Sequence, residues 1–232
     1  MIDRNLNYGR HLIERFLKNS KPFIKVLDLG AGKGNDLLIA KKIVSGCKLN
    51  AVENYKPYVI QLIENDIEVH SLNIENEKLP FEDNSFDVVI MNQIMEHVKE
   101  VFWILHEVSR IVKLNGFFIV GVPNLASLHN RFLLSLGKQP TSIKNNSAHV
   151  RGYTFSDFKN LLNSGFPNGW ELCDFGGSNF YPFPPPIAKT LAKLFPYMAW
   201  GIFMHWKKTK KYENGYLNYP INKHLETNFY LG

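Results

Sequence analysis

Two hydrophobic rhythms alternate along the first half of the chain. Residues 8–18 place Leu12, Ile13, Phe16 and Leu17 on one side of a helical wheel, which predicts an amphipathic helix, and Pro22 ends it. Residues 23–29 form a short apolar run, Phe23-Ile24-Lys25-Val26-Leu27-Asp28-Leu29, that closes on Gly30-Ala31-Gly32-Lys33-Gly34. That is the pattern of a buried strand entering a glycine turn. Helical spacing over 37–44, a strand over 49–53, a helix over 58–64 and a strand over 67–72 follow. Then come a strand over 86–91, a helix over 98–112 and, after an Asn115-Gly116 turn, a fifth strand over 117–122. Strands alternating with helices at this spacing predict an α/β, doubly wound, Rossmann-like fold. Its sheet is mostly parallel, with helices on both faces and right-handed crossovers.

After Pro123 the regularity breaks. A short apolar helix over 125–136 and a polar loop over 137–149 read as an insertion able to cover the carboxyl edge of the sheet. A helix over 155–162, a sixth strand over 170–175, a rigid proline turn over 182–186 and a helix over 187–194 follow. Residues 199–206 fit a seventh strand ending in solvated lysines, or an apolar, aromatic membrane-surface segment with Lys207 onward basic. The last twenty or so residues, rich in Asn and Tyr, carry little pattern. The whole of 1–232 reads as one domain: a core over 20–123, a lid insertion over 124–153, and the C-terminal half of a seven-stranded sheet with its tail over 154–232.

Composition adds exclusions. The 27 Lys+Arg and 21 Asp+Glu leave a modest net charge of +6, and 45% of the 232 residues are hydrophobic. This excludes a disordered chain, a collagen and a coiled coil. Two distant cysteines, Cys47 and Cys173, exclude a disulfide scaffold and fit a reducing compartment. The charged N-terminal stretch is not a signal peptide, and no apolar run approaches the ~18 residues that cross a membrane. The expectation is a cytoplasmic protein, at most peripheral to membranes. No zinc-finger spacing, RNP motif or basic heptad accompanies the basic residues, so no nucleic-acid partner is expected. Oligomeric state is left open.

A strand, a glycine loop and a helix in succession make a phosphate or nucleoside site, because glycines admit a ligand to the backbone and helix-terminal N–H groups face it. The dinucleotide fingerprint GxGxxG counted from Gly30 would put its third glycine at position 35, which is Asn35. Asp28 precedes the loop inside the strand, and a carboxylate there suits an ammonium-bearing ligand better than a pyrophosphate. Glu53 ends the second strand, where an acid can accept both hydrogen bonds of a ribose diol. The plain alternative is that both are solvated strand-end carboxylates.

Val26-Leu27-Asp28-Leu29-Gly30-Ala31-Gly32-Lys33-Gly34 resembles motif I of the class I S-adenosylmethionine (SAM) methyltransferases. Ala51-Val52-Glu53, Asn73-Ile74, Leu79-Pro80-Phe81, Ser85-Phe86-Asp87-Val88-Val89, Met91-Asn92-Gln93-Ile94-Met95-Glu96-His97-Val98 and Leu114-Asn115-Gly116-Phe117-Phe118 resemble further family segments in the same order. Pro123-Asn124-Leu125-Ala126-Ser127-Leu128-His129-Asn130-Arg131 and His149-Val150-Arg151-Gly152-Tyr153-Thr154 look like small-molecule methyltransferases of bacterial surface-carbohydrate clusters. The resemblance implies SAM as cofactor and S-adenosylhomocysteine as product. It implies that Gly30, Ala31 and Gly32 pass the methionine moiety, Asp28 holds its amino group and Glu53, with Asn54 beside it, takes the ribose. Asn73 and Ile74 would lie beside the adenine, with Asn73 where the family often has Asp. Asn92 and Gln93 would sit at the donor–acceptor boundary.

A hydroxyl acceptor needs a base as well as alignment, and histidine is the side chain for this near neutral pH. His149 and His97 are the candidates, each equally readable as a loop or packing residue. His129, Arg131, Arg151 and Tyr153 are candidate acceptor contacts, and with Lys138 and Lys144 they would favour an anionic small molecule; a solvated loop is the plain reading. No HExxH, Cys/His cluster or paired-acid spacing is present, so no metal is predicted. The function expected is transfer of a methyl group to a hydroxyl, less favourably an amine, of a small polar acceptor of sugar or phosphorylated type, in surface glycan synthesis. A nicotinamide-dependent oxidoreductase and a non-catalytic SAM-binding protein are the alternatives.

Overall fold

A computed structural model describes residues 3–227 of the chain. Helix α1 (Arg10–Asn19) buries Leu12, Ile13, Phe16 and Leu17, the stripe that its sequence pattern marks. Strand β1 (Lys25–Leu29) leads through the glycine loop into α2 (Asn35–Ile43), and β2 (Lys48–Val52), α3 (Lys56–Glu64) and β3 (Glu68–His70) follow. Strand β4 (Phe86–Asn92), α4 (Val101–Ile111) and β5 (Val112–Pro123) complete the regular half. The second half contains α5 (Leu128–Ser135), α6 (Phe155–Gly165), β6 (Trp170–Ser178), α7 (Pro185–Leu194), β7 (Gly201–Lys208) and α8 (Gly215–Asn222).

The seven strands form one sheet in the order β3-β2-β1-β4-β5-β7-β6. The first five run parallel, and β7 is antiparallel to both β5 and β6. Successive side chains of a strand face opposite sides of a sheet. Accordingly Leu27, Val89 and Met91 join the core beneath α4, α6 and α8, whereas Val26, Val88 and Ile90 join the core beneath α1 and α2. Burial of both faces explains why these strands read as continuous apolar runs. The alternation places Asp28 on the same face as Val26, toward α2.

Three expectations need correction. The Asn115-Gly116 turn does not precede β5 but bulges within it: Val112 pairs with Phe86, Phe117 pairs with Val88, and residues 113–116 loop out around Asn115 at φ 65°. Residues 199–206 enter the seventh strand of the sheet, as the first of their two readings has it, but Lys208 is not a solvated end. It is 1% exposed and its Nζ donates to Asn84 Oδ1 and to the carbonyls of Ser109 and Val112. The featureless tail supplies α8, whose Tyr216 is fully buried and donates to the Leu162 carbonyl. No helix among the described residues is long and apolar enough to cross a membrane.

His205 of β7 lies between the rings of Phe16 and Phe117, with Ser20 Oγ 2.8 Å from its Nε2. Burial depresses its pKa to about 4, below the roughly 6.5 of an unfolded histidine. The unfolded chain therefore takes up this proton first, and the stability held at neutral pH is lost as pH falls from about 6.5 toward 4. The loss should reach about 2 kcal/mol by pH 5. Urea midpoints at pH 8 and pH 5 measure it. His205→Phe, which leaves Ser20 bonded to the Phe16 carbonyl, should shrink that difference; an unchanged difference would clear His205.

Candidate functional site

The loop after β1 is held by β2. The N–H groups of Gly30 and Ala31 both donate to the Val52 carbonyl, and Gly32 N–H donates to Glu53 Oε2 at 2.8 Å. Gly30 (φ 73°) and Gly32 (φ 54°) occupy the left-handed region, which glycine enters without strain. A Cβ on Gly30 would lie 2.2 Å from Ile94 Cδ1, whereas one on Gly32 would meet nothing within 4 Å. One glycine is thus required by packing and the other borders open space.

That space has two halves that meet at Gly30. On one side a cavity of about 520 Å³ is lined by Tyr8, Arg10, Asp28, Gly32, Asp36 and Asn92, among others. On the other side a cavity of about 260 Å³ is lined by Glu53, Asn54, Asn73, Ile74, Ile94 and His97, among others. Asp28 is 3% exposed; burial, then the neighbouring Asp36 and Glu53 carboxylates, push its pKa well up, against Arg10. Burial likewise raises that of Asp36. Both acids would be relieved by a cationic ligand. Arg10 Nε, Asp36 Oδ1 and Asn92 Oδ1 are buried without a hydrogen-bond partner, although Arg10 and Asp36 stand 3.5 Å apart. Buried polar atoms are normally satisfied, so three orphans on one wall fit a polar guest. A cationic amino acid joined to a nucleoside matches the one free donor, the two free acceptor oxygens, the acids and the open floor at Gly32.

Glu53 is no solvated carboxylate. Besides Gly32, it accepts the N–H groups of Asn54 and Tyr55 through Oε1, each at 2.9 Å. Asn54 joins the β2 and β3 ends, donating to the Leu72 carbonyl and accepting from Ser71 Oγ. Asn73 Oδ1 accepts Glu75 N–H, which fixes its side chain at the mouth of the smaller cavity. Asn92 Nδ2 donates to the Tyr8 carbonyl and Asp36 Oδ2. Gln93 adopts φ 61° and lines neither cavity. Asp36 and Arg10 are contributions the sequence pattern did not disclose. The signal for Asp36 was an acid in the first turn after the glycine loop.

The insertion closes on itself at its base, where Asn124 and Tyr153 bridge and Leu125 N–H donates to the Tyr153 carbonyl. Two of its candidate acceptor contacts are bound into the structure, and a third stays at the surface. Tyr153 is 5% exposed, packs on Phe158 and donates to the Met95 carbonyl. Arg151 spends Nε and Nη2 on the carbonyls of Val98 and Lys99, so its fork clamps the insertion to the core. Arg131 is exposed and donates to the Ala126 carbonyl. His129 lies apart from the glycine loop, beside Lys138 and Lys144 at a cavity of about 560 Å³.

His97 and His149 do meet, edge to face with ring centroids 4.7 Å apart. His97 Nδ1 contacts the Ala148 carbonyl and His149 Nδ1 the Ser142 carbonyl. Glu96 lies beside them, 1% exposed, its pKa pushed up to about 8 by burial. Sequence spacing could not reveal this trio because His149 comes from the insertion.

A family model described as methionine biosynthesis protein MetW matches residues 10–165. An uncharacterized protein of Methanocaldococcus jannaschii is 34% identical over 190 residues, covering 79% of this chain and 77% of its own length. The uncharacterized methyltransferase YcgJ of Bacillus subtilis is 28% identical over 99 residues, 41% of this chain and 39% of its own. The YcgJ crystal structure superposes with a TM-score of 0.59 at 18% identity, over 86% of this chain and 99% of that one. A Burkholderia thailandensis 1,6-didemethyltoxoflavin N1-methyltransferase, solved with its substrate and S-adenosylhomocysteine, gives 0.59 at 16% identity over 87% and 79%. The fold is therefore that of the SAM-dependent methyltransferases. The β7 strand set antiparallel between β5 and β6 departs from the 3-2-1-4-5-6 order of dinucleotide-binding sheets, which counts against the nicotinamide alternative.

Proposed function

The chain belongs to the MetW family, and on that premise we propose that it binds SAM across the glycine loop and transfers its methyl group to a small polar acceptor. The observation that carries this reading is the divided groove at Gly30, with two buried acids on one side and Glu53 on the other. When bound, the donor supplies an activated sulfonium methyl group.

The rest is done by residues of the chain. Asp28 and Asp36 hold the cationic amino acid end. Glu53 takes the ribose hydroxyls with the lone pairs left over from its three backbone contacts. Asn54 stands beside Glu53 at the ribose, Asn73 and Ile74 flank the adenine, and Asn92 borders the methionine half; Gln93 stands one residue beyond it. Holding the reacting groups in line can contribute roughly 7–11 kcal/mol to such a displacement. A hydroxyl acceptor must also lose its proton. His97 and His149 each direct Nδ1 to a carbonyl, which leaves Nε2 of the neutral ring as the base. The acceptor we propose is a hydroxyl compound, less favourably an amine, of sugar or phosphorylated type. Its support is the grouping of His129, Lys138 and Lys144 in the insertion.

Calorimetric titration with S-adenosylhomocysteine, with NAD as control, tests the donor assignment. Binding of the thioether alone is expected. Binding of NAD alone, or of neither, would overturn it.

A further inference from the structure

We propose that Glu96, His97 and His149 form a site for a divalent transition-metal ion. One ligand atom from each residue lies within 4.8 Å of the others. Two imidazoles and one carboxylate suit Zn²⁺, Co²⁺ or Fe²⁺ better than Mg²⁺ or Ca²⁺, which prefer oxygen ligands throughout.

Proximity alone is a weak argument, since carboxylates and histidines often cluster without an ion. Two further observations go beyond it. A backbone carbonyl can only accept, so the contacts of His97 Nδ1 with Ala148 O (3.1 Å) and of His149 Nδ1 with Ser142 O (2.8 Å) place a proton on each Nδ1. Each neutral ring then carries its lone pair on Nε2. Metal-binding histidines are oriented by this kind of contact, with the second ring nitrogen donating to a carbonyl or carboxylate. The third ligand is equally set: Glu96 is 1% exposed, and its Oε2 is buried with no hydrogen-bond partner. A buried carboxyl oxygen left unpaired is costly, and coordination, with release of the acid's proton, is one way to satisfy it.

The backbone arrangement supports the set. Glu96 and His97 lie in the 3-10 turn Met95–His97 at the end of β4, and the Glu96 carbonyl accepts the N–H groups of Val150 and Arg151, immediately after His149. The two halves of the site are thus already registered, and the ion would staple the insertion to the sheet edge. His97 also lines the groove beside Glu53, so the ion would sit at the border of the donor groove. There it would occupy both Nε2 lone pairs, so the base role of these histidines belongs to the metal-free chain and the loaded site has no histidine base. All three ligands belong to the chain, so the site stands whether or not the groove takes SAM.

The test is titration of the tag-free full chain, stripped with chelator, with Co²⁺. Visible ligand-field absorption reports the coordination, and calorimetry with Zn²⁺ gives the stoichiometry. One equivalent of each ion is expected, with a rise in Tm on binding. Glu96→Gln, His97→Ala and His149→Ala should each weaken Co²⁺ binding at least about 10-fold, as losing even an outer-shell partner does. His149→Ala lies in the insertion and should keep the metal-free Tm, which separates a lost ligand from a lost fold. No stoichiometric binding, or absorption that survives all three substitutions, would overturn the site. S-adenosylhomocysteine titration of the same variants reads the donor groove separately.

Discussion

Glu53→Ala should lower S-adenosylhomocysteine affinity about 100-fold, with little change in the fold of the sheet. Hydrogen bonds to a charged partner contribute about 1.5–3 kcal/mol each, and a ribose diol offers two. The carboxylate also holds the loop: Oε2 takes Gly32 N–H while Oε1 takes those of Asn54 and Tyr55. Removing it therefore frees the floor of the groove as well as the ribose contact. Glu53→Gln should not rescue binding, because both oxygens face N–H donors and a carboxamide must turn its NH₂ toward one of them. Calorimetry on the two variants measures the effect; affinity within a few-fold of the parent would remove Glu53 from the donor site.

The largest effect on stability is expected from Arg110→Leu. Arg110 forms a bidentate pair with Glu107, Nε to Oε1 and Nη2 to Oε2, both at 2.8 Å. Its remaining contacts go to the carbonyls of Leu79 and Phe81 and to Asp83. Glu107, 1% exposed, also accepts Leu79 N–H. This pair moors residues 79–83 to α4 just before β4. Deleting one member of a buried pair leaves the other charge uncompensated, at about 3–5 kcal/mol. Urea unfolding should show that loss for Arg110→Leu. The double variant Arg110→Leu/Glu107→Met should recover much of it, since an apolar replacement of both partners is often near neutral. A loss below about 1 kcal/mol in the single variant would mean that the pair is dispensable.

Sequence periodicity located nearly every strand and helix of the first half, because parallel strands buried on both faces and helices with one apolar stripe leave strong local patterns. It did not find α8, a short helix that buries only Tyr216 and Pro220 and carries a proline inside it. It also began β5 only after Asn115-Gly116, since a bulge and a turn use the same residue types.

The donor side of the site was legible for a similar reason. Its glycines, Asp28 and Glu53 lie on consecutive strand ends, so the connection that carries them brings them to one groove. The insertion was not legible. Arg151 and Tyr153 look like ligand contacts by residue type, yet their partners are carbonyls of Val98, Lys99 and Met95, far away along the chain. Asp28 and Asp36 could be recognised as acids from the sequence, but their shared cavity arises only when α2 packs beside β1. The sequence by itself determined the order of the elements, the glycine loop and the acids at the strand ends, all of which depend on neighbours a few residues apart. Which basic residues are bound into the structure, and that Glu96, His97 and His149 stand together, was decided by the tertiary structure alone, because those contacts join segments whose separation no local pattern records.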